Sequence, residues 1–481
     1  MTTTTETSKS VLKVFAAALV ASTLLTGAMA VSQQASAQGV IQTIDPTKGF
    51  APLVEHVMPS VVSVEVKFQP AAATAPEDMP PELKNFFEQF PQFRDRFNND
   101  QGGPQGGGTA VGSGFVVSAD GYVVTNNHVV TTATTVNLKF QDGTEYSAKV
   151  IGTDPKTDLA LLKIESDKTF DYVPLTSNEA KVGDWVMAVG NPFGLGGTVT
   201  AGIVSARGRD IGSGPYDDYL QIDASINKGN SGGPAFNLEG EVVGVNTAIV
   251  SPSGGSVGIG FAIPAAIVKS VVEDLKANGS VTRGYLGVSI QPVTQDIADS
   301  LGLSKAEGAI VSSLADNSPA EKAGFKTGDT ILKANGEAID DAKDLSRTVA
   351  RLKPGSSIPF EIVRDGKSQT ITVALGSMPG EMPKMAGSKM DKSKMDLSDL
   401  GIEVEKSEDG AGLRITQLDP KSPAAEKGLK PGDVILEVAG QDVASAEDMS
   451  QALKNAKGKK VLMLVRSGDQ QTYITLPRDQ G

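Results

Sequence analysis

One stretch of this chain occurs twice. SPAEKAGFKTGDTIL from Ser318 returns as SPAAEKGLKPGDVIL from Ser422, an offset of 104 residues, and Gly336 is matched by Gly440. Two copies are too few for a stacked solenoid, so the repeat predicts a duplicated domain occupying the C-terminal part of the chain. A tether lies between the copies: MPGEMPKMAGSKMDKSKMD is rich in Met, Lys, Pro and Gly and has no apolar period. The 481 residues leave room for about one further, larger domain before the repeat. The expected divisions are 281–378 and 397–481 for the duplicated domains, 379–396 for the tether, and 38–280 for the N-terminal domain.

The first residues read as an export signal. Lys9 and Lys13 precede an apolar run from Val14, and Ala-x-Ala sites follow at Ala28–Ala30 and Ala35–Ala37. That order predicts a cleaved signal peptide of residues 1–37, with Ala30 as the alternative cut and an uncleaved anchor as the plainer alternative. No later stretch approaches the ~20 apolar residues of a membrane span, so the expected product is exported and soluble.

Between Gly114 and Phe261 short alternating runs are punctuated by turns, among them GFVVSADGYVVTN with Asp120-Gly121 at a hairpin, DLALLKI, WVMAVG and GEVVGVNTAIV. Such spacing predicts an all-β barrel or sandwich, closed by a helix over Ala265–Asn278 and preceded by a strand over 57–68. Residues 69–113 are too long for an ordinary connection. Leu83, Phe86, Phe87 and Phe90 give their middle an apolar stripe suited to docking on another subunit, or to packing on its own domain.

Composition narrows the chemistry. With no cysteine, thiol catalysis, disulfides and zinc ribbons are excluded, and any histidine-dependent mechanism must use His56 or His128. The chain has 44 basic against 57 acidic residues, which argues against nucleic acid as a partner. Nothing points to a cofactor or a metal.

The most informative hexamer is Gly229-Asn230-Ser231-Gly232-Gly233-Pro234. Glycines around a serine permit a tight turn that exposes the hydroxyl and gathers backbone N–H groups at one point, as an oxyanion hole requires. An α/β-hydrolase elbow needs a histidine after the serine, and both histidines precede it. His56 sits just before Pro59 in a segment that packing explains, whereas His128 follows the strand YVVTNN and can project into a cleft. His128 is therefore the expected general base. For the orienting carboxylate, Asp154 before Pro155 is explained by turn chemistry, and Asp158, opening LALLKI, is the better candidate. The order His128, Asp158, Ser231 is that of chymotrypsin-like enzymes.

These motifs, together with GSGFVVSADGYVVTNNHVV, TDLALLKI, GNPFGL, NKGNSGGP and IGFAIP, make the chain similar to the HtrA/Deg family of exported serine proteases with two PDZ domains. The resemblance implies a mainly β protein, a trypsin-like double β-barrel followed by two PDZ domains. It further implies an oxyanion hole from the N–H groups of Gly229, Asn230 and Ser231, a specificity pocket around Ile226, Ile249 and Ile259, and a regulatory role for Arg209. The 82–97 segment would be the long loop that controls oligomers, and the building block a homo-trimer from which larger cages are made. RGYLGV from Arg283 resembles a carboxylate-binding loop, with Tyr285, Leu286, Gly287 and Val288 capturing a free C-terminus. Asp399-Leu400-Gly401-Ile402 is a looser match in the second copy. The function implied is ATP-independent endoproteolysis of unfolded or damaged exported proteins in the periplasm, against a holdase or a PDZ scaffold with little proteolysis.

Overall fold

The computed structural model describes residues 44–67, 109–131, 133–191, 197–227, 229–251, 255–378, 394–397, 400–407, 409–456 and 460–477. The signal segment, the phenylalanine-bearing segment and most of the tether lie outside them.

Twelve strands close into two barrels. The first contains β1 (Val61–Lys67), β2 (Thr109–Val116), β3 (Tyr122–Asn126), β4 (Thr135–Lys139), β5 (Glu145–Asp154) and β6 (Leu159–Ile164), in the order β1-β2-β3-β6-β5-β4. The second contains β7 (Trp185–Gly190), β8 (Thr198–Arg209), β9 (Tyr219–Ile222), β10 (Pro234–Phe236), β11 (Val242–Ile249) and β12 (Gly260–Pro264), in the order β10-β11-β12-β9-β8-β7. Closure removes the free edges that an open sheet of short strands would leave. Each barrel has its own apolar filling. A third cluster lies between them, with Phe115 and Leu161 from one barrel, Phe236 and Phe261 from the other, and Leu275 from the following helix.

Local sequence explains several boundaries. Gly121 turns the β2–β3 hairpin at φ +84°, a conformation glycine adopts without strain. Helix α3 spans the expected Ala265–Asn278, buries Val268, Val271 and Leu275, and ends on Gly279 in the left-handed region. The strand expected over 57–68 is shorter. Helix α1 (Ala51–Val57) and a 3-10 turn through Met58–Ser60 come first, because Pro59 suits the start of a turn and cannot donate to a ladder. At the other end of the expected long loop, residues 109–113 belong to β2. The short helix α2 (Asn127–Val130) follows β3 directly.

Each repeat builds a smaller sheet with a helix against it. The first has β13 (Gly284–Tyr285), β14 (Val288–Pro292), β15 (Ala309–Leu314), β16 (Thr330–Ala334), β17 (Glu337–Ala338), β18 (Ser357–Arg364), β19 (Lys367–Ala374) and β20 (Gly376–Ser377). Its sheet runs β14-β15-β16-β18-β19, and β13 pairs separately with β20. The second has β21 (Lys394–Leu397), β22 (Ile402–Lys406), β23 (Leu413–Leu418), β24 (Val434–Val438), β25 (Gln441–Asp442), β26 (Lys460–Ser467) and β27 (Gln470–Pro477), in the order β21-β22-β23-β24-β26-β27. A cluster of Val293, Ile297 and Ile310 with Leu462, Leu464 and Tyr473 joins the two units.

Candidate active site

The three expected residues come from three separate segments, a short helix and two turns. His128 sits on α2 immediately after β3, and Asp158 sits immediately before β6, the strand that pairs with β3. That pairing brings the two side chains together. His128 Nδ1 lies 2.7 Å from Asp158 Oδ2, and the His128 backbone N–H donates to Asp158 Oδ1 at 2.9 Å. A carboxylate oxygen only accepts, so this contact places the imidazole proton on Nδ1 and leaves Nε2 to take a proton from a nucleophile.

Asp158 holds this pose in the left-handed region, at φ 55°. Few residues other than glycine are found there, and Asp is among those that tolerate it. The backbone is pinned by its carbonyl, which accepts from Asn127 N–H at 3.0 Å and from Asn126 Nδ2 at 2.8 Å. Asn126 is fully buried and also donates to Thr247 Oγ1 at 2.6 Å. Its one side chain therefore ties the Asp158 turn of the first barrel to β11 of the second. Asn126 leaves no mark in the sequence, because a lone amide beside a histidine carries no signal of a partner more than a hundred residues away.

Ser231 comes from the second barrel. Its turn docks on β2: Ser113 N–H donates to the Ser231 carbonyl at 2.9 Å, and Ser113 Oγ donates to the Gly229 carbonyl at 2.5 Å. Gly112, on the same strand, lies between Val129 and the Ser231 carbonyl, where an added Cβ would come within 2.8 Å of the valine. Ser231 Oγ is 3.5 Å from the Thr247 carbonyl. Glycine at 229 is required by φ +99°, and Gly232, at φ +83°, packs so closely on β2 that a Cβ would fall 2.3 Å from the Ser113 carbonyl oxygen.

Of the three N–H groups expected to face an oxyanion, Asn230's is committed elsewhere. It donates to the Asn227 carbonyl at 3.1 Å and closes the turn. The N–H groups of Gly229 and Ser231 meet no acceptor among the described residues.

The remaining expected residues are placed as follows. Ile226 and Ile249 are 2% and 8% exposed and belong to the apolar filling of the second barrel, while Ile259 is partly buried against the inter-barrel cluster. Arg209 Nε donates to Gln221 Oε1 at 2.9 Å, and neighbouring Arg207 pairs with Glu179 at 2.9 Å. In the first repeat, Gly287 turns at φ +81°, with Leu286 buried beneath it. The Leu286 and Gly287 carbonyls accept from Ala320 and Ala315, each at 2.9 Å, which turns the N–H groups of the same peptide units, those of Gly287 and Val288, the other way. His56 lies on α1 against the turn at Gly240. Among the described residues no cluster of three or more potential ligands could hold a metal ion.

Turn chemistry accounts for only part of Asp154, which accepts from the Thr157 hydroxyl three residues on. Its carboxylate is buried and held by Arg283, with Nη1 to Oδ1 at 3.0 Å and Nη2 to Oδ2 at 2.5 Å. Arg283 is thus an inter-unit anchor rather than part of an anion-binding loop. Lys343 pairs with Asp210 and Arg347 Nη1 donates to the Asp217 carbonyl at 2.9 Å, so the loop between β8 and β9 is also joined to the first repeat. Burial raises the Asp217 carboxyl above its usual range, and the hydrogen bond from Lys343 lowers that of Asp210.

Two closed six-stranded barrels, with a glycine-bounded serine and a carboxylate-oriented histidine at their junction, define the class: a trypsin-like serine peptidase. Residues 112–245 match the trypsin-like peptidase domain family, and residues 284–375 and 414–467 each match a PDZ domain family. The chain is 47% identical to the "Probable periplasmic serine endoprotease DegP-like" of Rhizobium meliloti, over 97% of this chain and 99% of the relative. It is 49% identical to the protein of the same description from Brucella suis, covering 96% of each. The solved structure of an HtrA-type protease, AlgW, with a decapeptide is 34% identical with a TM-score of 0.56, covering 69% of this chain and all of that one. This chain belongs to the HtrA/Deg family of periplasmic serine endoproteases, with one peptidase domain and two PDZ domains.

Proposed function

We propose that His128, Asp158 and Ser231 carry the endopeptidase chemistry. Ser231 Oγ attacks the scissile carbonyl, His128 Nε2 takes its proton and later delivers it to the leaving amine, and Asp158 stabilises the imidazolium between those steps. The N–H groups of Gly229 and Ser231 stabilise the oxyanion. The observation that carries this assignment is the double contact of Asp158 with His128, one oxygen on the ring and one on the backbone.

The substrates are unfolded or damaged exported proteins, and a homo-trimer is the working unit. The signal peptide is 1–37, the protease domain 38–280 and the PDZ domains 281–378 and 397–481, joined by the tether 379–396. The loop 285–288 of the first PDZ domain captures free C-termini, and the peptide adds as a strand beside β14. Supporting this, the Leu286 and Gly287 carbonyls are turned inward. Arg209 belongs to the loop that senses such binding. Ile226, Ile249 and Ile259 wall a small apolar pocket, which would accept Ala or Val and leave a lysine or arginine charge unpaired.

Digestion of denatured casein tests the whole reading. Ser231→Ala should cut at least about 10^4-fold more slowly than the parent chain, and the parent's products should end mainly in small aliphatic residues. Residual cleavage near the parent rate would remove Ser231 from the mechanism, and products ending mainly in Lys or Arg would remove the pocket.

A further inference from the structure

The strand that leads into the carboxylate loop takes different partners in the two PDZ domains. The loops themselves correspond: Gly287 and Gly401 both have positive φ, +81° and +69°, and at either one a Cβ would fall 2.3 Å from the Cβ of the serine that caps the next helix, Ser318 or Ser422. The strands after the loops, β14 and β22, therefore occupy the same place. In the first domain the preceding strand β13 pairs with β20, Gly284 opposite Ser377 and Tyr285 opposite Gly376. Among the described residues β14 then has a strand partner on one side only, β15. In the second domain the preceding strand β21 folds back onto β22, with Lys394 opposite Glu405, Met395 opposite Val404, Asp396 opposite Glu403 and Leu397 opposite Ile402.

This pairing uses the edge a ligand would need. A peptide captured by strand addition runs alongside that edge with its C-terminal end at the carboxylate loop. β21 is antiparallel to β22 and its last residue, Leu397, faces the first residue of β22, so it runs along that edge and ends at the loop in the same sense. One edge accepts one strand, because its outward N–H and C=O groups can be satisfied only once. The short connection from Leu397 to Ile402 presents the segment to the edge at an effective concentration on the order of mM, against which a free peptide must compete.

We propose that residues 394–397 are a built-in occupant of the peptide-accepting edge of the second PDZ domain, which takes an external C-terminus only after this segment leaves. The proposal rests on the reading that the β14 edge captures peptides.

The test uses the full chain carrying Ser231→Ala, so that the probe is not cut. A fluorescent octapeptide with a free C-terminal valine is titrated, its amidated twin serving as control, and amide exchange is followed by mass spectrometry. Two variants release the segment. Met395→Pro removes a ladder donor and fixes φ, and the quadruple change Lys394→Gly, Met395→Ser, Asp396→Gly, Leu397→Ser weakens the strand without a proline. The parent should bind one peptide per chain and both variants two. The β22 amides directed away from β23 should exchange at least about tenfold faster in the variants, while β23 and β26 stay protected. The proposal is overturned if those β22 amides exchange equally fast in parent and variants, if the parent already binds two peptides, or if a variant with freed β22 amides and protected β23 still binds one. If no chain binds the peptide at all, the capture reading fails, and the exchange result alone then decides whether the edge is occupied.

Discussion

The two PDZ domains share an internal scaffold and differ in what surrounds it. Ser318 and Ser422 cap the same short helix, accepting from the backbone N–H three residues on. Asp329 and Asp433 are both buried and both accept from a lysine N–H at 2.8 Å, which closes the same turn. These are the residues the repeated sequence preserves. Away from them the domains part company. The first is joined to the barrels by Arg283, Lys343 and Arg347, and the second to the first by Lys427 and Lys460 on Asp296 and by Tyr473 on Gln291. Four residues before the loop glycine the first domain has Arg283, which reaches Asp154, and the second has Leu397, which lies in β21. A duplication fixes how a domain folds, and a few surface positions decide whether it is coupled to the protease.

The largest effect should follow from cutting the first domain loose. Arg283→Met would leave the Asp154 carboxylate buried without its charge partner, with only the Thr157 hydroxyl still donating to it, at a cost of about 3–5 kcal/mol, read as a lower midpoint in denaturant unfolding of the full chain. Adding Asp154→Asn should restore most of that loss. If Arg283→Met alone changes nothing, the two units are not held together by this pair.

A matched pair of substitutions sharpens the contrast. Gly287→Val and Gly401→Val each place a β-branched residue in the left-handed region, costing about 1–2 kcal/mol besides the close approach to Ser318 or Ser422. Both should destabilise their own domain, yet only Gly287→Val should abolish binding of a C-terminal peptide in calorimetry. Loss of binding in Gly401→Val with an intact first domain would reverse the assignment of roles.

Much of this was legible in the sequence because the signals are local. The hexamer around Ser231 requires a tight turn, absence of cysteine and scarcity of histidine leave His128 as the base, and Gly279 ends a helix whose apolar spacing is plain. Other features depend on residues far apart in sequence. Asp154 has Pro155 beside it and reads as a turn residue until Arg283, 129 positions on, is folded against it. Strand β8 escapes notice because TVTAGIVSARGR mixes glycine and polar residues without strict alternation, and its identity comes from pairing with β7 and β9. The partner of β21 is similarly non-local information. Nothing within KMDL says whether it will pair with β22 or, as β13 does, with the end of its domain.

The smallest effect concerns pH at the contact between the PDZ domains. The hydrogen bond from Lys460 is the main cause that holds the Asp296 carboxyl below the usual carboxylate range, with Lys427 and Thr475 adding to it. A carboxylate with a depressed folded value contributes stability above its unfolded value and loses it as pH falls through the folded one. The contact should therefore hold unchanged from about pH 5 to 8 and loosen only in stronger acid, as small-angle scattering would detect. Loosening between pH 7 and 5 would mean that another group governs it.

The central claim, that Ser231 is the nucleophile activated by His128 and Asp158, is tested most directly by the stoichiometry and position of covalent labelling. The parent chain treated with diisopropyl fluorophosphate should carry one adduct per chain, mapped by peptide mass spectrometry to Ser231, and His128→Ala should carry almost none. An adduct on another serine, or equal labelling of the His128→Ala chain, would contradict it.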